Sequence, residues 1–263
     1  MQYVARRSNR YQRFLNRMPV LGDVLRQPLG ALGFVIVLGF FLMVVFAPLL
    51  APYDYAEQDI LSMLQGPSAE HWLGTDHLGR DLWSRLVYGA RIALGVALPA
   101  VGLALLGGII LGLLAGYLGG IVDDIAIVIF DSLQAFPAVI LALAILALLG
   151  PSLVNVIIVI GLAWTPGYAR VTRAQVLSTK QNQYIEVEHS LGASRRRILF
   201  LHLMPNILAP LLILAAMDLP VVITFEAGLS FLGLGVRPPT PSWGVILSDG
   251  FNFIRQSPWP ITW

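Results

Sequence analysis

The sequence predicts an all-α, polytopic membrane helix bundle, and three observations carry that prediction. Hydrophobic residues make up 57% of the 263 positions and charged residues only 12%, where a soluble domain carries about 25% charged residues. So little charge cannot clothe a water-facing surface. The apolar residues also gather into runs of about twenty, and at about 1.5 Å per helical residue such a run crosses a hydrocarbon core of about 30 Å. Finally, the basic residues cluster in two segments and leave the rest of the chain nearly free of them. There is no cysteine, which excludes disulfides and thiolate metal sites. The net charge of +2 is too small to suggest a nucleic-acid partner.

Residues 1–28 form a basic arm with Arg6, Arg7, Arg10, Arg13, Arg17 and Arg26 against the single acid Asp23. A first span, 29–50, holds 22 residues without a charge. It exceeds the apolar core of a cleaved signal peptide, about 7–15 residues, and the polar residues after Arg6 and Arg7 do not suit a twin-arginine leader. Residues 51–91 are a polar, acid-rich loop. A second span, about Ile92–Tyr117, opens the segment 92–227 that forms the transmembrane core. Gly108, Gly112, Gly116 and Gly120 recur every four residues along it. That spacing clears one helix face and lets a neighbour approach closely in lipid, either within the bundle or on a partner subunit. Asp123 and Asp124 mark a turn before a third span, about Ile125–Leu149, which contains Asp131, Gln134 and Pro137. Gly150 and Pro151 precede a fourth, about Leu153–Tyr168, with Pro166 near its end. A fifth is expected over about Ile207–Phe225, followed by a glycine- and proline-rich tail, 228–263.

Orientation follows from the cations. Twelve of the 17 Lys and Arg residues lie in the arm and in residues 170–197, which five crossings place on the same side. The positive-inside rule makes that side cytoplasmic. The loop 51–91 and the tail then lie outside, and the chain is expected in a bacterial plasma (inner) membrane.

The cytoplasmic loop 178–206 contains EVEHSLGASRRRILFLHLMP, unusually polar for this chain. Tyr184–Leu191 suits a short helix, Gly192 a left-handed terminating position, and Ser194 an N-cap for a second helix through Arg195–Leu203. Pro205 marks the start of the next span. This helix–glycine–helix elbow admits three readings: a loop that only enforces topology, a partner-docking projection, or a DNA-reading helix-turn-helix. The last fails because both ends are tied to membrane spans.

Acids within apolar spans are costly and face a cavity or a partner. Asp131 and Asp218, with Gln134, are therefore candidates for a translocation path or for structural pairing. Glu226, near the outer end of the fifth span, is easier to accommodate. Trp164 and Tyr168 are read as interface anchors. His71, Asp76, His77 and Asp81 have ligand-type side chains, but in a polar external loop they are read as structural; no metal site is assigned.

The stretch 184–206 resembles the EAA loop of binding-protein-dependent ABC importers, in particular the C-type permease subunit of the dipeptide/oligopeptide/nickel family. Tyr184, Glu186, Leu191, Gly192, Ala193, Ser194, His202, Pro205 and Asn206 match, with Arg196 in the basic run. Val187 and Glu188 stand where the family has alanines, and Met204 where it has leucine. GTDHLGRDLWSRLVYGAR (74–91), FDSLQAFP (130–137), WTPGYARVTRAQVLS (164–178) and FLGLGVRPPTPSWG (231–244) resemble further family segments in order. The resemblance implies the type I importer transmembrane fold and alternating access. It implies a homologous second permease, two ATPase subunits (or one fused or duplicated) docked on the elbow, an extracytoplasmic substrate-binding protein, and solutes from dipeptides and oligopeptides to nickel or haem.

ATP and Mg would be bound by those partners. A phosphate-cradling G-x-x-x-x-G-K-[ST] loop is absent, since the only lysine, Lys180, follows Thr179. The chain is thus expected to have no catalytic residues and no cofactor. The family usually has a sixth span after the P-S-W-G segment. The remaining stretch, interrupted by Asp249, Arg255, Pro258 and Pro260, cannot cross as one helix, so the chain is either naturally short or has lost its end. Two other classes stay open: an ion- or proton-coupled carrier with Asp131 and Asp218 as relay, and a scaffold without transport.

Overall fold

A computed structural model describes residues 19–194 and 197–262, without the side chains of 19–21, Tyr184, Glu186 and His189. The basic arm up to residue 18 and Arg196 thus lie outside the described residues. The chain divides at Leu50 into two compact units.

The first unit contains α1 (Pro19–Arg26), α2 (Pro28–Val45) and α3 (Ala47–Leu50). Pro28 sits in the first turn of α2, where its missing N–H costs nothing. α2 spans about 27 Å and buries none of its own residues, as expected of a helix solvated by lipid.

The second unit is built on α4 (Leu82–Leu118), α5 (Gly120–Gln134), α6 (Ala138–Leu149), α7 (Leu153–Lys180), α8 (Gln183–Ser190) and α9 (Met204–Phe231). Two short helices, α10 (Trp243–Asn252) and α11 (Trp259–Thr262), follow. Four of the described helices are long and apolar enough to cross a membrane, or five spans if the bent pair α5–α6 counts as one.

α4 and α7 form the centre. A Cβ on Gly108 would overlap Tyr168, one on Gly112 would overlap Ala169 and Thr172, and one on Gly116 would lie 3.0 Å from the Val176 Cβ. The two series advance together, 108 to 116 against 168 to 176, so the helices run parallel in intimate contact. The glycine stripe therefore packs within the chain. Gly120 is a correction to that pattern: the chain leaves α4 at Gly119 (φ +67°), and Gly120 (φ +55°) opens α5 with nothing within 4 Å. Tyr168 is also corrected. It is 1% exposed, a core residue drawn inward by the absent side chain of Gly108, and not an interface anchor. Around this pair α9 closes a core that includes Val96, Ala100, Val156, Ile160, Leu211 and Leu229.

Several span boundaries differ from the sequence reading. α5 starts at Gly120, so Asp123 and Asp124 lie inside the helix and not in a turn before it, and α9 runs on past Phe225 to Phe231 because Gly228 and Ser230 are carried within its last turn. α4 starts ten residues before Ile92 because Asp81 caps it, accepting from the Ser84 N–H at 2.8 Å. α7 continues past Tyr168 to Lys180; polar residues end a membrane crossing but do not end a helix. The third span is not one helix but two, α5 and α6, meeting at 85° across Ala135–Pro137.

The loop 51–91 and the tail form one packed piece. Asp76 receives Arg80 Nε at 2.7 Å and also pairs with Arg85, and both arginines reach Asp249 on α10 at 3.2–3.4 Å. Asp76 and Arg85 are each 1% exposed. Trp243 Nε1 donates to the Leu86 carbonyl at 3.0 Å, and the His77 and Phe253 rings stack at 4.9 Å. Buried Glu226 accepts from Ser230 Oγ (2.6 Å) and Ser242 Oγ (2.9 Å), which fastens the tail to α9. Residues 232–262 are therefore a folded clamp on the loop 51–91.

Candidate functional site

Two places combine polarity with irregular backbone: the bend of the third span and the elbow that follows α7.

The bend lies at membrane depth. At one end of the broken span Asp123 pairs with Arg173, whose Nη2 donates at 2.6 Å. At the other end Asn155 Nδ2 donates to the carbonyls of Leu149 (3.1 Å) and Gly150 (2.9 Å). Asn155 and Arg173 are eighteen residues apart on α7, about 27 Å, so the broken span crosses as much of the bilayer as α7 does. Between those ends it contains more helix than that distance needs, so it bows away from α7 at the bend. The bow leaves an open groove of about 460 Å³ lined by Gln134, Pro137, Leu141, Ala163, Trp164 and Gly167, among others, with residues 131–140 exposed along it. Trp164 is held edge-on against Phe225 of α9 at 4.9 Å. Irregular backbone at membrane depth is tolerated only where protein buries it or a water-filled cavity solvates it.

The three path candidates separate. Gln134 lines the groove. Asp131, one turn earlier, lies outside it and accepts from Arg170 Nη2 at 2.8 Å, with both side chains more than half exposed. Asp218 lies across α9 beside the buried Tyr168 hydroxyl, without hydrogen-bond geometry between them. No described contact joins Asp131 to Asp218. The ion pairs Asp123–Arg173 and Asp131–Arg170 brace α5 on α7. Sequence reasoning missed both because their partners are 50 and 39 residues apart.

The elbow has the expected local form. α8 ends at Ser190, Gly192 adopts φ +79°, and Ser194 Oγ accepts from the Arg197 N–H at 3.4 Å. The second helix differs: Ile198–Leu203 is a π turn, which passes at Met204 directly into α9. Leu191 and Ser194 are exposed, Ala193 is partly covered, and Pro205 occupies the first turn of α9 with its missing N–H harmless there. The side chains of Tyr184 and Glu186, like Arg196, lie outside the described residues. Beneath the elbow, Ile185, Ile198 and Leu203 are buried.

Where the loop 51–91 meets the tail, Asp76, His77 and Asp249 bring three metal-type ligand atoms together. Two guanidiniums share the same carboxylates, so the charge a cation would meet is already neutralised. Burial opposes ionisation of Asp76, but Arg85, Arg80 and the N–H groups of Leu78 and Arg80 outweigh it and hold the carboxyl below its ordinary value. His71 Nδ1 lies 3.0 Å from Asp81, which also caps α4, so this set is structural.

Comparison with known proteins gives a consistent result. Residues 108–260 match the family described as binding-protein-dependent transport system inner membrane component, and residues 23–67 match the N-terminal transmembrane domain of oligopeptide transport permease C. The chain is 44% identical to the dipeptide transport system permease protein DppC of Alkalihalophilus pseudofirmus, over 90% of this chain and 78% of that protein. It is 38% identical to the oligopeptide transport system permease protein OppC of Bacillus subtilis (88% and 76%). It is 40% identical to the nickel transport system permease protein NikC of Escherichia coli (81% and 76%).

Proposed function

Because this chain belongs to the family of binding-protein-dependent transport system inner membrane components, we propose that it is the membrane permease subunit of an ATP-driven importer of dipeptide- or oligopeptide-like solutes. It works with a homologous second permease, with ATPase subunits that bind the nucleotide and Mg, and with an extracytoplasmic binding protein that supplies the solute. The arm and the elbow face the cytoplasm and the outer clamp faces the binding protein, in the orientation that the arginine distribution favours.

The observation that carries this reading is the broken third span facing an open groove at membrane depth. Gln134 offers a polar solute hydrogen bonds in place of water, beside the apolar walls of Trp164 and Leu141. Asp131 and Arg170, on the cytoplasmic side of the groove, neutralise each other and present no fixed charge to a passing solute. Asp218 serves packing beside Tyr168. A proton relay through Asp131 and Asp218 is disfavoured, because Asp131 is paired with Arg170, Asp218 lies beside Tyr168, and no described contact joins the two acids.

Proteoliposomes containing the assembly test this. Import of radiolabelled dialanine should require ATP on the elbow side and should not be driven by a proton gradient alone; import on the gradient alone would overturn the reading. Gln134→Cys should react with a water-soluble thiol reagent that spares Leu212→Cys on the exposed face of α9. Equal protection of both would remove the groove from the path.

A further inference from the structure

A displacement of α8 must pass two soft joints before it reaches α9. The first is Gly192, left-handed at φ +79° with nothing within 4 Å of where a side chain would stand, so no side-chain packing opposes a change of its torsions. The second is the π turn Ile198–Leu203, a rare geometry that recurs at functional sites.

Glu188, in the last turn of α8, bridges both. Its carbonyl accepts from the Ala193 N–H at 3.0 Å, across Gly192. Its side chain, 24% exposed, places Oε2 3.9 Å from Arg197 Nε and Oε1 3.5 Å from His202 Nε2. One carboxylate thus meets a cation just before the π turn and an imidazole inside it. Asn206 Nδ2 of α9 donates to the His202 carbonyl at 2.6 Å, which extends the chain of contacts into the membrane helix. Ile185, Ile198 and Leu203 are buried beneath the two helical pieces, and the Glu188 carboxylate is the charged group that stands between them.

We propose that Glu188 is a positioning residue for energy coupling: it locks α8 onto the π turn, so that the elbow moves as one body and passes displacement to α9. This deepens, and rests on, the reading of the elbow as the ATPase dock.

The absence of cysteine in the chain makes the test clean once cysteines are removed from the co-purifying subunits. Nitroxides at Gln183→Cys and Ile213→Cys, both exposed, report the distance across the elbow by double electron–electron resonance. The assembly is measured in nanodiscs, nucleotide-free and trapped with ATP and vanadate. The parent should give one narrow distance, the same in both states. Glu188→Ala should broaden it and lower the dialanine imported per ATP by roughly two- to fivefold, the range expected for an exposed ion pair, with ATP hydrolysis retained. His202→Gln, which attacks the latch from the other side, should broaden it as well. Glu188→Gln, which keeps a polar partner for His202 but loses the charge facing Arg197, should fall between. A Glu188→Ala distribution as narrow as the parent's overturns the proposal, and so does broadening without loss of coupling. A parent assembly without ATP-dependent import overturns the functional reading instead, and the distance measurement still reports on the latch.

Discussion

The two ends of this molecule are built on opposite principles. The end formed by the loop 51–91 and the tail is tied by buried charge: Asp76, Arg80 and Arg85 are each less than 5% exposed, and the two arginines join Asp76 to Asp249. The elbow end is tied by one glycine, a π turn and a partly exposed Glu188. A buried ion cluster has discrete geometry and resists small displacements, while a glycine–π-turn joint costs little to move. The contrast suits a machine anchored outside and driven from within, and it can be broken from either side.

The largest effect should come from the outer clamp. Arg85→Ala leaves Asp76 buried beside one guanidinium in place of two, and losing one partner of a buried pair costs about 3–5 kcal/mol. The melting temperature in detergent should fall accordingly, with early exposure of Trp243. The same change at Arg197 in the elbow should cost at most about 1 kcal/mol, as exposed pairs do. Equal losses at the two positions would erase the distinction between anchor and lever.

Acid should separate the ends next. The folded-state pKa of Asp76 is depressed, so its contribution is complete above the ordinary carboxylate value of about 3.9 and is lost as pH falls through the lower, folded value. Hydrogen-exchange protection in residues 243–262, corrected for the intrinsic pH dependence of amide exchange, should be high at pH 7 and fall below about pH 4. Protection that is flat down to pH 2 would mean that the Asp76 carboxylate does not hold the clamp.

Much of this was legible in the sequence, unevenly. The spans were readable because hydrocarbon imposes an apolar length, and the stripe Gly108, Gly112 and Gly116 because close approach imposes a spacing. Gly192 was readable because a left-handed turn in mid-loop selects glycine. The break of the third span was only hinted at by Pro137, since a proline in a membrane helix can be absorbed, as Pro166 is inside α7. The clamp was not legible: Asp249 meets Arg80 and Arg85 across 169 and 164 residues, and separations of that size leave no local signal. The misplacement of Tyr168 has the same origin, because its burial is decided by Gly108 on another helix.

The smallest stability effect with the largest functional consequence is expected at Gly192. An L-residue held left-handed there costs about 1–2 kcal/mol, yet a Cβ meets nothing, so Gly192→Glu should leave insertion and melting of the outer clamp unchanged. The strain acts instead on the elbow, shifting its population away from the docked form by roughly 5- to 30-fold, read as ATP-driven dialanine import per ATP hydrolysed. Gly192→Asn, whose side chain tolerates the left-handed region, should retain most of that import. Wild-type coupling in Gly192→Glu would show that the elbow transmits no force through this residue, while equal failure of both variants would point to side-chain bulk on the docking face in place of backbone conformation.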